Sequence, residues 1–129
     1  METLNKNNIT GIAALLVHAA KIDEKYSDQE KNLIKDFIQS YLKDENKESI
    51  LINAEEIEKN SNQLLSFTNI IKKNTEEIKS SIVEHLWKII ISDNSIDQYE
   101  SNLMRRVCGL IYFPDKRCAE IKLKLLKNK

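Results

Sequence analysis

The chain has 129 residues, enough for one domain with a genuine core, and 41% of them are hydrophobic. Two glycines and one proline are too few for a protein of glycine-rich hairpins, so the composition predicts helices joined by short polar turns. The 20 basic and 20 acidic residues give a formal net charge of zero, which provides no general attraction to nucleic acid or anionic lipid.

The N-terminal segment is polar and lacks the apolar centre of a signal peptide. We expect residues 1–8 to be loosely ordered at the start of a single domain that spans 1–129. Apolar residues then recur at helical spacing on one face from Ile9 to Ala20, with Asn8 and Thr10 as candidate caps. No run approaches the roughly 20 apolar residues that span a bilayer, so the chain is expected to be soluble and cytoplasmic.

The second helix has a clear start. Ser27 and Glu30 have the spacing of a capping box, in which each side chain accepts from the backbone N–H of the other residue. Apolar residues then repeat at helical spacing over residues 33–42. Two shorter helices are expected over residues 50–57 and 64–71.

The last third of the chain predicts three more helices. Acidic residues after Thr75 begin a long helix that buries isoleucines and leucines up to Ile90, with Trp87 in or beside the core. Phe113-Pro114-Asp115 separates the two final helices, whose expected buried residues are Leu103, Met104, Val107, Cys108 and Ile111, then Cys118, Ile121 and Leu125. The whole is an all-α, compact bundle of roughly seven helices, without the heptads of a coiled coil.

Cys108 and Cys118 are the two cysteines, and both fall on apolar helical stripes. A disulfide framework or a zinc site would be expected to have more cysteines, or cysteines in closely spaced pairs. The cysteines are therefore expected to be reduced, buried thiols.

Two segments nearly repeat one another, 70 residues apart: Asp23 to Glu30 and Asp93 to Glu100. Each is preceded and followed by an apolar helical pattern. The chain therefore predicts a duplicated helix, acidic loop, helix unit.

These two loops are candidate cation sites. Their possible ligands are Asp93, Asp97 and Glu100 in the second loop and Asp23 and Glu30 in the first. Carboxylates suit calcium or magnesium, but neither loop has the EF-hand pattern, and calcium takes about six to eight oxygens. Tight binding would need the two loops to approach each other, and the second loop, with three carboxylates, is the better candidate.

A structural explanation of the same residues remains open. Ser27 with Glu30, and Asp97 with Glu100, are what a helix N-terminus favours without any ligand. Capping does not explain Asp23 and Asp93, since each falls at the end of the preceding helix, where a negative charge opposes the helix dipole. That placement favours a ligand site.

The repeated pattern resembles the TerB-like proteins associated with tellurite resistance, and especially stand-alone bacterial TerB-like domains. The similar segments are Ala13-Ala14-Leu15-Leu16-Val17, Leu86-Trp87-Lys88-Ile89 and Tyr99-Glu100-Ser101-Asn102-Leu103-Met104-Arg105-Arg106-Val107. The resemblance implies an all-helical bundle, a bacterial cytoplasmic setting and acidic loop residues that bind divalent cations. The family's loop glycine is replaced by Glu24 and Asn94, and Ser27 stands in place of an acidic residue, which makes the first site the weaker one.

The sequence does not favour an enzyme. His18 and His85 are the two histidines, each on a predicted helix among apolar residues, although His18 could flank the acidic site. Neither a glycine-rich phosphate loop nor a serine or cysteine nucleophile motif is present. The competing functions are an adaptor that binds protein partners, with or without a cation, and a purely structural helical domain.

Overall fold

The computed structural model of this chain describes residues 5–22, 26–43, 46–61, 65–91 and 98–127. Over these residues the chain forms helices and no strands, which confirms the predicted all-α fold. There are seven helices in the described ranges: α1 (Lys6–Ala20), α2 (Asp28–Tyr41), α3 (Lys47–Lys59), α4 (Leu65–Lys72), α5 (Glu76–Ile91), α6 (Gln98–Leu110) and α7 (Asp115–Lys127). None of these helices has the length and apolar character needed to cross a membrane.

The central helix is α1, against which α2, α3, α4 and α5 all pack. Between Ile9 and Ala20 every residue except His18 is buried. The spacing predicted burial on one face only, so it underestimated how much of α1 is covered. A helix that is apolar on all sides is stable only when other elements surround it. The helix also begins earlier than predicted, because the Asn5 side chain caps it by accepting the Asn8 N–H at 2.8 Å.

Two groups of three helices build the bundle. In the first group α1, α2 and α3 pack against one another, and in the second group α5, α6 and α7 do the same. The short helix α4 lies against α1, α5 and α6, and α1 and α2 also pack on α5. Each group thus has the same three helix–helix contacts. The duplication of a helix, acidic loop, helix unit stays a prediction.

A tight turn joins α6 to α7. Tyr112 has a φ of 61°, the left-handed conformation that usually selects glycine. The Phe113 N–H donates to the Cys108 carbonyl at 2.8 Å and the Tyr112 N–H to the Gly109 carbonyl at 3.3 Å, the two bonds of a Schellman motif. Pro114 follows, and the chain reverses so that α7 packs on α5 and α6.

The predicted core is largely confirmed. Trp87 is 4% exposed, and the expected apolar residues of α6 are all buried. Ile121 and Leu125 of α7 differ, because they are only partly buried against the core. On α3 the buried side consists of Ile50, Leu51 and Ala54, and Ile57 is 41% exposed.

Candidate functional sites

The predicted cation ligands fall at the connections between helices. Asp23 lies between α1 and α2, and Asp93 and Asp97 lie between α5 and α6; all three are outside the described residues. Glu100 is in the first turn of α6, but its side chain is also outside the described part of the structure. The candidate cation site therefore stays a prediction at these four positions.

Glu30 is the predicted ligand whose side chain is described, and it is a buried helix cap. Its Oε1 accepts the Ser27 N–H at 2.8 Å and the Ser27 hydroxyl at 3.1 Å. The Glu30 N–H in turn donates to the Ser27 Oγ at 3.2 Å, so the predicted capping box is confirmed. Among the described residues, no group of three or more His, Cys, Asp or Glu side chains could hold a metal ion.

A cluster of polar side chains lies beside the first loop, and we call it the Tyr26 cluster. It consists of His18 and Lys21 at the end of α1, Tyr26 before α2, and Glu55 and Glu58 on α3. The Tyr26 hydroxyl donates to Glu55 Oε2 at 2.6 Å. Glu58 bridges the end of α1, with Oε1 at 3.0 Å from Lys21 Nζ and Oε2 at 3.2 Å from His18 Nδ1.

The partners in this cluster shift the pKa of two groups. Burial, the hydrogen bond to Glu55 and nearby negative charge all raise the pKa of Tyr26, so its hydroxyl stays protonated and acts as a donor. Burial also raises the pKa of Glu58, but the hydrogen bonds from Lys21 and His18 outweigh that effect and lower the pKa overall. Both carboxylates of the cluster thus have protein partners.

An open groove of about 450 Å³ adjoins the cluster. Ile52 lies in its lining and is 62% exposed, and the ammonium groups of Lys31 and Lys21 lie 5.0 and 5.9 Å from the centre of the Tyr26 ring. Cations over an aromatic face contribute modestly at exposed sites. The groove therefore offers charged, aromatic and apolar surfaces together for binding a ligand. It is less suited to catalysis, since a protonated Tyr26 is a poor base or nucleophile.

The sequence pointed to His18 as a flank of the acidic loop but missed Tyr26, Glu55 and Glu58. Glu55 and Glu58 are three residues apart, which places them on one helical surface. That spacing was a usable signal for a shared site. Their partners on α1 and before α2 depend on helix packing, which local spacing does not reveal.

His85 has a structural role, as its apolar surroundings suggested. Its Nδ1 lies 2.8 Å from the Ser81 carbonyl oxygen, and its ring meets Phe37 edge-on at 5.1 Å between centres. Burial lowers the pKa of His85, which favours the neutral ring.

A second cluster in the second group, the Trp87 cluster, contains both cysteines. Trp87 Nε1–H donates to Cys118 Sγ at 3.3 Å, and the Cys108 thiol is close enough to Cys118 to shift its pKa. The Lys122 ammonium lies 5.3 Å from the centre of the Trp87 ring. Both thiols are free and buried, as expected from their positions on apolar stripes.

Comparison with known proteins identifies the family. The profile of the family described as "Tellurite resistance protein TerB" matches residues 10–123. This chain belongs to the TerB family. Searches of curated proteins and of solved structures gave no match. The TerB match includes both helix-loop-helix segments and both clusters, so the predicted resemblance is confirmed over nearly the whole chain.

Proposed function

We propose that this TerB domain is a non-enzymatic adaptor that binds a divalent cation, calcium or magnesium, at its acidic inter-helix segments and a protein partner on the adjoining surface. The predicted ligands are Asp93, Asp97 and Glu100, with Asp23 and Glu30 at the first segment. Its setting would be a bacterial cytoplasmic response to tellurite or another stress. Nucleic acid is not an expected partner of a chain with zero net charge.

The observation that supports this proposal is where the helices end. The acidic segments follow α1, which ends at Ala20, and α5, which ends at Ile91, and these two helices pack against each other. Carboxylates after a helix C-terminus oppose its dipole, and a bound cation would offset that cost. Asp23 is only three residues before Tyr26 in the chain, which links cation binding to the surface of the Tyr26 cluster.

A purely structural role for the loops is the second candidate. It is favoured by Glu30, whose Oε1 is already engaged by Ser27 in the capping box. On this alternative the acidic residues stabilise helix starts, and the domain binds its partner without any metal.

Calorimetric titration separates the two candidates. Calcium and magnesium are titrated separately into the parent, Asp93→Asn and Asp36→Asn, the last being a control on the exposed side of α2. We expect the parent and the control to bind, and Asp93→Asn to bind more weakly while keeping or gaining stability without cation, since like charges are relieved. No heat of binding at millimolar cation in the parent would remove the metal from the proposal.

Thermal unfolding gives an independent measurement. A cation at 100 times its dissociation constant stabilises the folded state by about 2.7 kcal/mol, and EDTA should reverse that gain. Glu30→Gln then tests the two roles of Glu30. As a cap it should lower stability equally with and without cation, whereas as a ligand it should lower mainly the cation-dependent part.

A further inference from the structure

We propose that Cys118 is a modification site for small peroxides and that Cys108 converts the oxidised Cys118 into a disulfide. The inference is independent of the proposed adaptor function, which uses neither thiol. It rests on three features of the Trp87 cluster: a cavity that reaches Cys118, a hydrogen bond to the Cys118 sulfur, and a second thiol beside it.

Access to Cys118 is provided by an open cavity of about 270 Å³ between α5, α6 and α7. Cys118 lines it and is 7% exposed, while Cys108 is not among its lining residues and is fully buried. The cavity is several times the roughly 30 Å³ that a water molecule occupies in the liquid. The cavity therefore offers a small peroxide a route to Cys118, whereas Cys108 has no exposed surface.

Hydrogen bonding distinguishes the two sulfurs. Cys118 Sγ accepts from Trp87 Nε1 at 3.3 Å, and a sulfur that accepts from an N–H donor is better suited to carry negative charge. The charged groups that line the same cavity are Arg105, Asp115 and Lys122. The neighbouring Cys108 thiol is the main cause that lowers the pKa of Cys118. Trp87 and Lys122 lower it further, whereas burial and Asp115 raise it. The same thiol contact, with burial, raises the pKa of Cys108.

The reaction proceeds in two steps. The Cys118 thiolate attacks one oxygen of hydrogen peroxide, an S–O bond forms, the O–O bond breaks, and hydroxide leaves and takes a proton from solvent. The Cys108 sulfur then attacks the sulfenic sulfur, an S–S bond forms, and the sulfenic oxygen leaves as water with the Cys108 proton. The two thiols are oxidised by two electrons and one peroxide is reduced to two waters.

The test treats the reduced parent, Cys108→Ser and Cys118→Ser with hydrogen peroxide, followed by intact-mass measurement and peptide mapping. We expect the parent to lose two hydrogen atoms in a Cys108–Cys118 disulfide, and Cys108→Ser to gain one oxygen at Cys118 that dimedone traps. Cys118→Ser should oxidise at least about tenfold more slowly at its remaining thiol, because thiolate character and exposure govern the rate. Peptide mapping separates these products from oxidation of Met104, which lines the same cavity.

The parent alone keeps the test decisive if a variant fails to fold. Oxidation of the native parent no faster than that of free N-acetylcysteine, or products without the intramolecular disulfide, would overturn the proposal. The rate of Cys118 alkylation against pH should have its midpoint below the free-cysteine pKa of about 8.5. Lys122→Gln should move that midpoint upward. The control is Lys124→Gln, since Lys124 is exposed on the same helix and its loss should leave the midpoint unchanged. Equal midpoints in the two variants would remove Lys122 from the site.

Discussion

The two groups of three helices each place an aromatic residue where the helices meet, but they surround it with different chemistry. In the first group Tyr26 is half-buried and its hydroxyl meets a carboxylate, with lysines over the ring. In the second group Trp87 is almost fully buried and its N–H meets a sulfur. We expect the first arrangement to respond to pH and salt, because its carboxylates and lysines are charged and near water. On the proposal above the second should respond to oxidants, because it contains two thiols.

The largest expected difference between the groups is in packing. Trp87→Ala should lower the free energy of unfolding by about 3 to 5 kcal/mol, as is typical when a large buried aromatic residue is truncated. Tyr26→Ala should cost clearly less, since part of its ring is already in water. Urea denaturation of both variants measures the difference. Equal losses would mean that Tyr26 belongs to the core as fully as Trp87 does.

The next effect isolates the Tyr26 hydroxyl. Tyr26→Phe removes one hydrogen bond to Glu55 and should cost about 1.5 to 2 kcal/mol, the lower part of the range for bonds to charged groups. Because the folded-state pKa of Tyr26 is raised, its contribution should be complete below the unfolded pKa of 10 and decline as pH rises above that value.

Tyr112→Phe is the matched control, because Tyr112 is 68% exposed and should lose almost nothing. Denaturation at neutral pH and above pH 10 provides the test. A loss for Tyr26→Phe that is no larger than the control's would show that the Glu55 bond contributes nothing in solution.

Sequence periodicity predicted the helices well because burial on one face leaves a repeat that can be counted along the chain. The apolar residues of α6 and the capping box at Ser27 are examples of such local rules. The burial of α1 on all sides was not predicted, since it depends on four neighbouring helices. Tyr112 gave no turn signal because its left-handed conformation is one that sequence rules reserve mainly for glycine.

The candidate sites were predicted less completely for a similar reason. Tyr26 and Glu55 are 29 residues apart, and Trp87 and Cys118 are 31 apart, so their contacts arise only when helices pack. The acidic repeat directed attention to the connections between helices, where the predicted cation ligands stay untested. Glu30 shows that one pattern, an acidic residue three positions after a serine, can have an entirely structural cause.

A smaller effect compares the starts of α2 and α6, the second helix of each group. Ser27→Ala should cost about 0.5 to 2 kcal/mol by removing the acceptor for the Glu30 N–H. Asp97→Ala, at the corresponding position before α6, should cost a similar amount as a cap deletion. Chemical denaturation with and without calcium measures both. If Asp97→Ala alone is neutral without calcium but weakens calcium binding, Asp97 is a ligand and the two helix starts differ in function.

The smallest expected effect concerns the contacts of Glu58 with Lys21 and His18. Glu58→Gln should cost about 0.5 to 1 kcal/mol at neutral pH, because Lys21 and His18 are partly exposed and such pairs are weakened by water and salt. The folded-state pKa of Glu58 is lowered, so its contribution should be present above the unfolded value of 4.5 and be lost as pH falls through the lower folded value.

Glu56→Gln is the matched control, since Glu56 is exposed on the same helix. The free energy of unfolding of both variants is measured at pH 7 and pH 3, in low and high salt. The two variants should differ most at pH 7 in low salt, and the difference should shrink under the other conditions. A difference that persists at pH 3 would assign the role of Glu58 to packing. The ionic character of the first group would then rest on Glu55 and Tyr26 alone.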